Sequence, residues 1–76
     1  MKELLLYVAK SLVDDPDAVR VDEREEGDET VFELRVAPDD MGKVIGRHGK
    51  IAREIRVLMR SVATRKGQRV SVDIVD

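Results

Sequence analysis

The chain has 76 residues and a formal net charge of −2, from 14 Lys and Arg against 16 Asp and Glu, which is the size of one small domain with a single modest core. It contains no cysteine and one histidine, so disulfides and thiolate metal sites are excluded and the ligands for a zinc site are too few. The apolar run Leu4–Ala9 is far shorter than the ~20 residues of a membrane span, and the sequence therefore predicts a cytoplasmic protein with no membrane span.

The first predicted element is a helix over residues 2–13. One face of it carries aliphatic residues at helical spacing: Leu5, Val8, Ala9 and Leu12. A turn at residues 14–17 ends the helix, because Pro16 cannot continue it and disfavours helical geometry at Asp15.

Two strands follow and are predicted to pair as an antiparallel hairpin. Val19 and Val21 alternate with polar residues in a short first strand, and the polar residues around Gly27 predict the hairpin turn. Residues 30–36 alternate as a second strand. Its two predicted faces are Phe32, Leu34 and Val36 on one side and Val31, Glu33 and Arg35 on the other.

Two helices and a last strand complete the chain. The segment 38–40, Pro-Asp-Asp, closes the second strand and offers a carboxylate N-cap to a short helix over residues 41–45, which stops at Gly46. A longer helix begins after Gly49 and ends where Arg65-Lys66-Gly67 supplies cations and a glycine. Its predicted buried stripe is Ile51, Ile55, Leu58, Met59 and Val62, and the arginines predicted on the opposite side are Arg53, Arg56 and Arg60. Residues 70–75 alternate as the final strand.

This order of elements predicts the topology. The last strand arrives after a helical crossover, so it can run parallel to the second strand, and such crossovers are nearly always right-handed. Both crossover helices therefore lie on one face of the sheet, and the N-terminal helix must bury its apolar stripe on that same face. The expected fold is α+β, with the order α-β-β-α-α-β and a three-stranded mixed sheet under three helices.

The charge is distributed unevenly. Residues 1–40 contain 5 basic and 13 acidic residues, a balance of −8, whereas residues 41–76 contain 9 basic and 3 acidic residues, a balance of +6. Charge runs are often only solvated surface, but the positive half contains the glycines of residues 46–49. That coincidence favours an anionic partner.

The stretch Val44–Ile51, VIGRHGKI, contains a Gly-x-x-Gly turn between two predicted helices. A P-loop would need glycine at Val44 and a hydroxyl residue at Ile51, and the dinucleotide fingerprint Gly-x-Gly-x-x-Gly fails at Val44 too. Glycine at both ends lets the backbone turn tightly and lets a ligand approach, and a helix N-terminus at the turn attracts anions. On the two glycines alone, however, a plain connection between helices remains open.

The aliphatic flanks make the motif more specific. Residues 44–55, VIGRHGKIAREI, resemble the signature of the KH RNA-binding domain: an aliphatic pair, Gly-x-x-Gly, and two aliphatic residues in the following helix. The element order is similar to the type II KH arrangement, and the resemblance covers residues 1–76 as a single domain. It is closest to the small single-domain bacterial KH proteins of the KhpA type.

The resemblance implies an RNA-binding protein that clamps about four nucleotides of single-stranded RNA, acting in post-transcriptional regulation or as an RNA chaperone. We expect no cofactor and no metal. The residues that would bind RNA are Gly42, Lys43, Ile45, Gly46, Arg47, His48, Gly49, Lys50 and Arg53. Ile55 would form the floor of the groove. With Tyr7 and Phe32 as its only aromatic residues, the chain lacks the rings of RRM or OB-type stacking platforms.

Alternatives remain at several positions. Ile45, Ile51 and Ile55 are also compatible with a core role, which is favoured for Ile51, and the arginines of the long helix are compatible with solvated surface. An enzyme is disfavoured, since there is no thiol and the one histidine has no evident carboxylate beside it. The competing function is protein interaction: a homodimer, or a heterodimer with a larger KhpB-type KH protein, formed through a patch at Met41 and Ile45.

Overall fold

The computed structural model describes residues 1–75 and confirms the predicted order of elements. The helices are α1 (Lys2–Leu12), α2 (Met41–Ile45) and α3 (Lys50–Arg65), and the strands are β1 (Arg20–Glu26), β2 (Glu29–Arg35) and β3 (Val70–Ile74). Single 3₁₀ turns at Pro16–Ala18, Pro38–Asp40 and Arg47–Gly49 connect them. None of the helices within these 75 residues has the length and apolar character needed to cross a membrane.

The sheet has the order β1-β2-β3. β1 and β2 pair antiparallel through the predicted hairpin turn, with Glu26 opposite Glu29, and β3 pairs parallel to β2 with Phe32 opposite Val72. β2 is therefore the central strand, and β3 has one edge without a neighbouring strand.

The core lies between the sheet and the three helices, as predicted. Its largest fully buried side chains come from all three helices and from β2: Leu5, Val44, Met59, Phe32 and Leu34. Burying aliphatic and aromatic surface of this kind contributes about 25 cal/mol per Å². This one cluster is what holds α2 and α3 in place on the sheet.

The predicted stripe of α3 is wrong in one respect. Leu58 is 40 % exposed, whereas the buried residues of α3 are Ala52, Ile55, Met59 and Ala63. The helix packs against β3, α2 and α1, and the small residues Ala52 and Ala63 lie in its buried stripe on either side of Ile55 and Met59. The arginines consequently lie on the flank beside β3 rather than opposite the core.

Asp40 also departs from expectation. It occupies the N-cap position of α2, but its side chain makes no capping hydrogen bond. The carboxylate is only 2 % exposed and accepts hydrogen bonds from the backbone N–H of Asp14 at 3.2 Å and of Asp15 at 3.0 Å. The side chain therefore joins the end of α1 to the start of α2, and we call this contact the Asp40 latch.

No helix of residues 1–75 covers the outer face of the sheet, where ion pairs lie instead. Arg24 of β1 lies opposite Val31 and pairs with Glu26 and Glu33. The hydrogen bond that Arg24 donates to the Glu26 carboxylate raises the pKa of Arg24 above its ordinary value; the negative charge of Glu26 and the contact with Glu33 add to this, and desolvation opposes it. Val31, which was predicted to lie on the outer face, is 2 % exposed there because long polar side chains cover it.

Candidate nucleic-acid interface

The turn Gly46–Gly49 is built on left-handed backbone. Gly46 has φ 75° and ψ 174°, His48 has φ 56° and Gly49 has φ 73°. The N–H of Gly49 donates to the carbonyl of Gly46 at 3.1 Å, and the N–H of Lys50 donates to the carbonyl of Arg47. A non-glycine residue with φ above zero is uncommon, so His48 is held by the hydrogen bonds around it.

These hydrogen bonds leave two neighbouring donors at the tip of the turn. Within residues 1–75, the backbone N–H groups of Arg47 and His48 have no hydrogen-bond acceptor, and both residues are exposed. Successive N–H groups in such a turn form a concave site that binds anions. From the sequence we expected the free N–H groups at the N-terminus of α3. The N–H groups of Gly49 and Lys50 are instead hydrogen-bonded within the turn.

The two glycines are needed for different reasons. A Cβ atom added to Gly46 would lie 2.6 Å from Cγ1 of Ile51, which is too close for real atoms. A Cβ added to Gly49 would meet nothing within 4 Å. Gly46 therefore lets Ile51 pack against the core under the turn, while Gly49 leaves the outer surface of the turn open.

Positive charge surrounds this turn. None of Arg47, Lys50 or Arg53 belongs to an ion pair in the part of the chain that the structure describes. Arg53 extends back toward the turn, with Nη2 at 3.4 Å from the carbonyl oxygen of His48. Lys43 differs, because its Nζ lies 3.4 Å from the carboxylate of Asp14 and is partly neutralised.

The remaining site residues border the turn on the α2 side. Gly42 and Lys43 are exposed on α2, and Ile45 at its end is 37 % exposed. Ile51 is partly buried against the core. Ile55 is 3 % exposed and belongs to the core, which was the alternative role, and its place as the floor of an RNA groove stays a prediction.

Sequence analysis missed a contact on the other side of α3. Arg56 Nε donates to the carbonyl oxygen of Val72 in β3, at 3.1 Å. Further along the same flank, Arg60 lines a cleft of about 290 Å³ together with Arg69 and Val70. The helical spacing of the arginines was visible in the sequence, but their contact with β3 depends on how α3 rests on the sheet.

A Gly-x-x-Gly turn between two helices, packed on a three-stranded sheet and presenting free backbone donors, is the defining arrangement of a KH domain. Comparison with protein families agrees: the family described as "KhpA/KhpB, KH domain" matches residues 2–74. The chain belongs to this family of KH domains.

Full-length relatives share close to half of the sequence. The "RNA-binding protein KhpA" of Caldanaerobacter subterraneus subsp. tengcongensis is 49% identical over 75 residues, covering 99% of this chain and 100% of the relative. That of Halalkalibacterium halodurans is 47% identical over 76 residues and covers 100% of both chains. A crystal structure of Aquifex aeolicus Era bound to GDP and AlF4⁻ is similar in fold, with a TM-score of 0.65 at 20% identity. It covers 95% of this chain and 28% of that one.

Proposed function

We propose that this chain binds single-stranded RNA and holds the RNA backbone at the turn Gly46–Gly49. The observation that carries the proposal is the pair of N–H groups at Arg47 and His48, which have no acceptor among residues 1–75 and lie in an exposed turn beside cations that form no ion pair there. Phosphate oxygens are strong acceptors that such donors and cations match. The KhpA relatives, which are named RNA-binding proteins, support the same function.

The residues proposed to contact RNA are contiguous. The turn would hold phosphates through its backbone, Arg47, His48, Lys50 and Arg53 would add charge or hydrogen bonds, and Gly42, Lys43 and Ile45 would border the strand on α2. About four nucleotides would fit a site of this kind. The role proposed for this binding is cytoplasmic, in post-transcriptional regulation or as an RNA chaperone.

The test is a double substitution, Arg47→Asp with His48→Asp, assayed by binding to a short unstructured RNA. Asp is tolerated in turns and in left-handed backbone, so the fold should remain. Losing two charge-assisted contacts of about 1.5 kcal/mol each would weaken binding by roughly 100-fold.

The matched control is Arg65→Asp with Lys66→Asp. This pair lies at the far end of α3, some fifteen residues and therefore about 22 Å from Lys50, and it changes the charge by more than the test pair does. The affinity of the control variant for the RNA should fall much less than that of the test variant. Both variants should keep the circular dichroism spectrum of the parent. A folded test variant that binds RNA as tightly as the parent would refute the clamp.

Strand preference gives an independent test. A short groove with free donors accepts a flexible backbone, whereas a duplex presents its phosphates in a fixed arrangement. Filter binding should therefore favour unpaired RNA over a duplex of the same sequence, and equal or better duplex binding would contradict the proposal.

A second candidate function is self-association. The predicted patch is small, because Met41 is only partly exposed, but α1 and α3 enclose an apolar groove of about 360 Å³. Val8, Leu12 and Leu58 line this groove. We infer that it docks a second copy of the chain or the corresponding face of a larger KhpB-type protein.

Sedimentation equilibrium tests this function. The parent should form a concentration-dependent dimer that Leu58→Asp abolishes, whereas Val57→Asp, at a residue 53 % exposed outside the groove, should leave it intact. Adding the larger KH protein separates heterodimer from homodimer. If the parent stays monomeric to high micromolar concentration, both alone and mixed with the larger KH protein, the proposed association is refuted.

A further inference from the structure

The guanidinium of Arg56 lies on the open edge of the sheet. β3 pairs only with β2, and hydrogen bonding along a parallel strand alternates. The carbonyl of Arg69 accepts from the N–H of Thr30, and the N–H of Val75 donates to the carbonyl of Leu34, so residues 69 and 75 bond toward β2. Val72 is an odd number of residues from both, and its N–H and carbonyl therefore point away from β2. The Val72 carbonyl accepts instead from Nε of Arg56, at 3.1 Å.

This single bond fixes the direction of the arginine and leaves its two terminal amino groups available. In the stretch 1–75, neither Nη1 nor Nη2 of Arg56 has a hydrogen-bond partner, and the side chain is in no ion pair. A guanidinium is planar, so holding Nε orients both remaining donors in one plane. Arg56 thus presents a fixed fork of N–H groups at the surface.

The fork lies within reach of RNA held at the glycine turn. Arg53 contacts the His48 carbonyl at the turn, and Arg56 is three residues further along the same flank of α3, about 4.5 Å along the helix axis. A base attached to a backbone clamped at the turn can therefore extend along β3 toward Arg56.

We propose that Arg56 determines base specificity by selecting a base that presents two adjacent acceptors. Guanine offers O6 and N7 to such a fork, and this is the commonest specific contact of arginine with a base. Cytosine offers O2 and N3 on its pairing edge, which is accessible in a single strand. Adenine and uracil alternate donors with acceptors, so one N–H of the fork would face another donor. This proposal rests on the proposed RNA binding at the glycine turn.

The experiment measures binding of uridine hexamers with one central position changed to guanine, cytosine or adenine. We expect guanine or cytosine to bind about tenfold more tightly than uracil and adenine, the effect of one good bidentate pair. If guanine is selected, inosine should preserve the preference because it keeps O6 and N7, and 7-deazaguanine should lose it. If cytosine is selected, only the hexamer with a central cytosine should bind more tightly than the all-uridine hexamer.

Arg56→Lys is the decisive variant, because it keeps the positive charge but has no fork. Its preference should vanish while its affinity for the all-uridine hexamer stays near that of the parent. Arg60→Lys, one turn further on and without a contact to a β3 carbonyl, is the matched control and should keep the preference.

Four results would overturn the proposal. The parent could bind all hexamers equally, the base preference could survive Arg56→Lys, or Arg56→Lys could weaken the binding of every hexamer equally, which would mean a phosphate contact. None of these three contradicts the proposed RNA binding. The fourth result, a parent that binds no hexamer, would reject both proposals.

Discussion

Replacing each glycine of the turn by alanine should have very different effects on stability. Gly46 has φ 75° and ψ 174°, a region that is essentially restricted to glycine and costs another residue about 1–3 kcal/mol. Its new Cβ would also lie 2.6 Å from Cγ1 and 3.0 Å from Cβ of Ile51, and overpacking of this kind costs about 1–3 kcal/mol. We expect Gly46→Ala to lower the free energy of unfolding by about 4 kcal/mol.

Gly49→Ala should cost only about 1–2 kcal/mol. Gly49 has φ 73° and ψ 17°, the left-handed helical region, and its Cβ would enter open space. The two variants should therefore differ by about 2–3 kcal/mol, which for a domain of this size is roughly 10–20 °C in melting temperature. Urea and thermal unfolding followed by circular dichroism at constant m-value measure this difference.

The Ile51→Ala background separates the two causes of the Gly46 effect. Removing the Ile51 side chain relieves the close contact, so the cost of Gly46→Ala should fall to its backbone part, about 1–3 kcal/mol. Equal destabilisation by the two glycine variants would refute the division of roles between them. An unchanged cost in the Ile51→Ala background would show that the contact with Ile51 is not the cause.

Three further predictions concern the latch, the core and the charge. Asp40→Asn should lose about 1–3 kcal/mol of unfolding free energy in urea, because Asp14 and Asp15 each donate to a different carboxylate oxygen and the amide would turn an NH₂ group toward one of them. The exposed Asp39→Asn should be nearly neutral, and equal effects would contradict the latch. Met59→Ala should lose about 2–5 kcal/mol and Leu58→Ala less than about 1.5, and the reverse order would restore the stripe predicted from sequence. If three or four phosphates are neutralised, log affinity should fall with log salt at a slope of about −2 to −3, and a slope of zero would exclude the electrostatic contribution.

Local patterns predicted the elements and their order well. The short helix at Met41–Ile45 ends at Gly46 as expected, and the turn at Gly27 and the parallel pairing of β3 are also confirmed. Glycine, proline and strict alternation act over a few residues, so a sequence reveals them directly.

The failures all involve contacts between distant segments. The Asp40 side chain bonds backbone 25 and 26 residues away, while its local pattern predicted a cap. In α3 the periodicity located the apolar residues, but the buried side also contains Ala52 and Ala63, which the predicted stripe left out, and it excludes Leu58. The contact between Arg56 and β3 follows from that same rotation of the helix and was missed with it.

The separation of charge between the two sides of the molecule also has a kinetic consequence. The sheet side carries the acidic strands β1 and β2, whereas the turn and α3 carry most of the arginines and lysines of the second half of the chain. The molecule is therefore an electric dipole although its net charge is only −2. Near a polyanion such as RNA, the dipole orients the molecule before contact. The acidic sheet is repelled and the turn attracted once they come within the screening length of about 8 Å at physiological salt. The acidic sheet would thus act on the rate of productive encounter rather than on the lifetime of the complex.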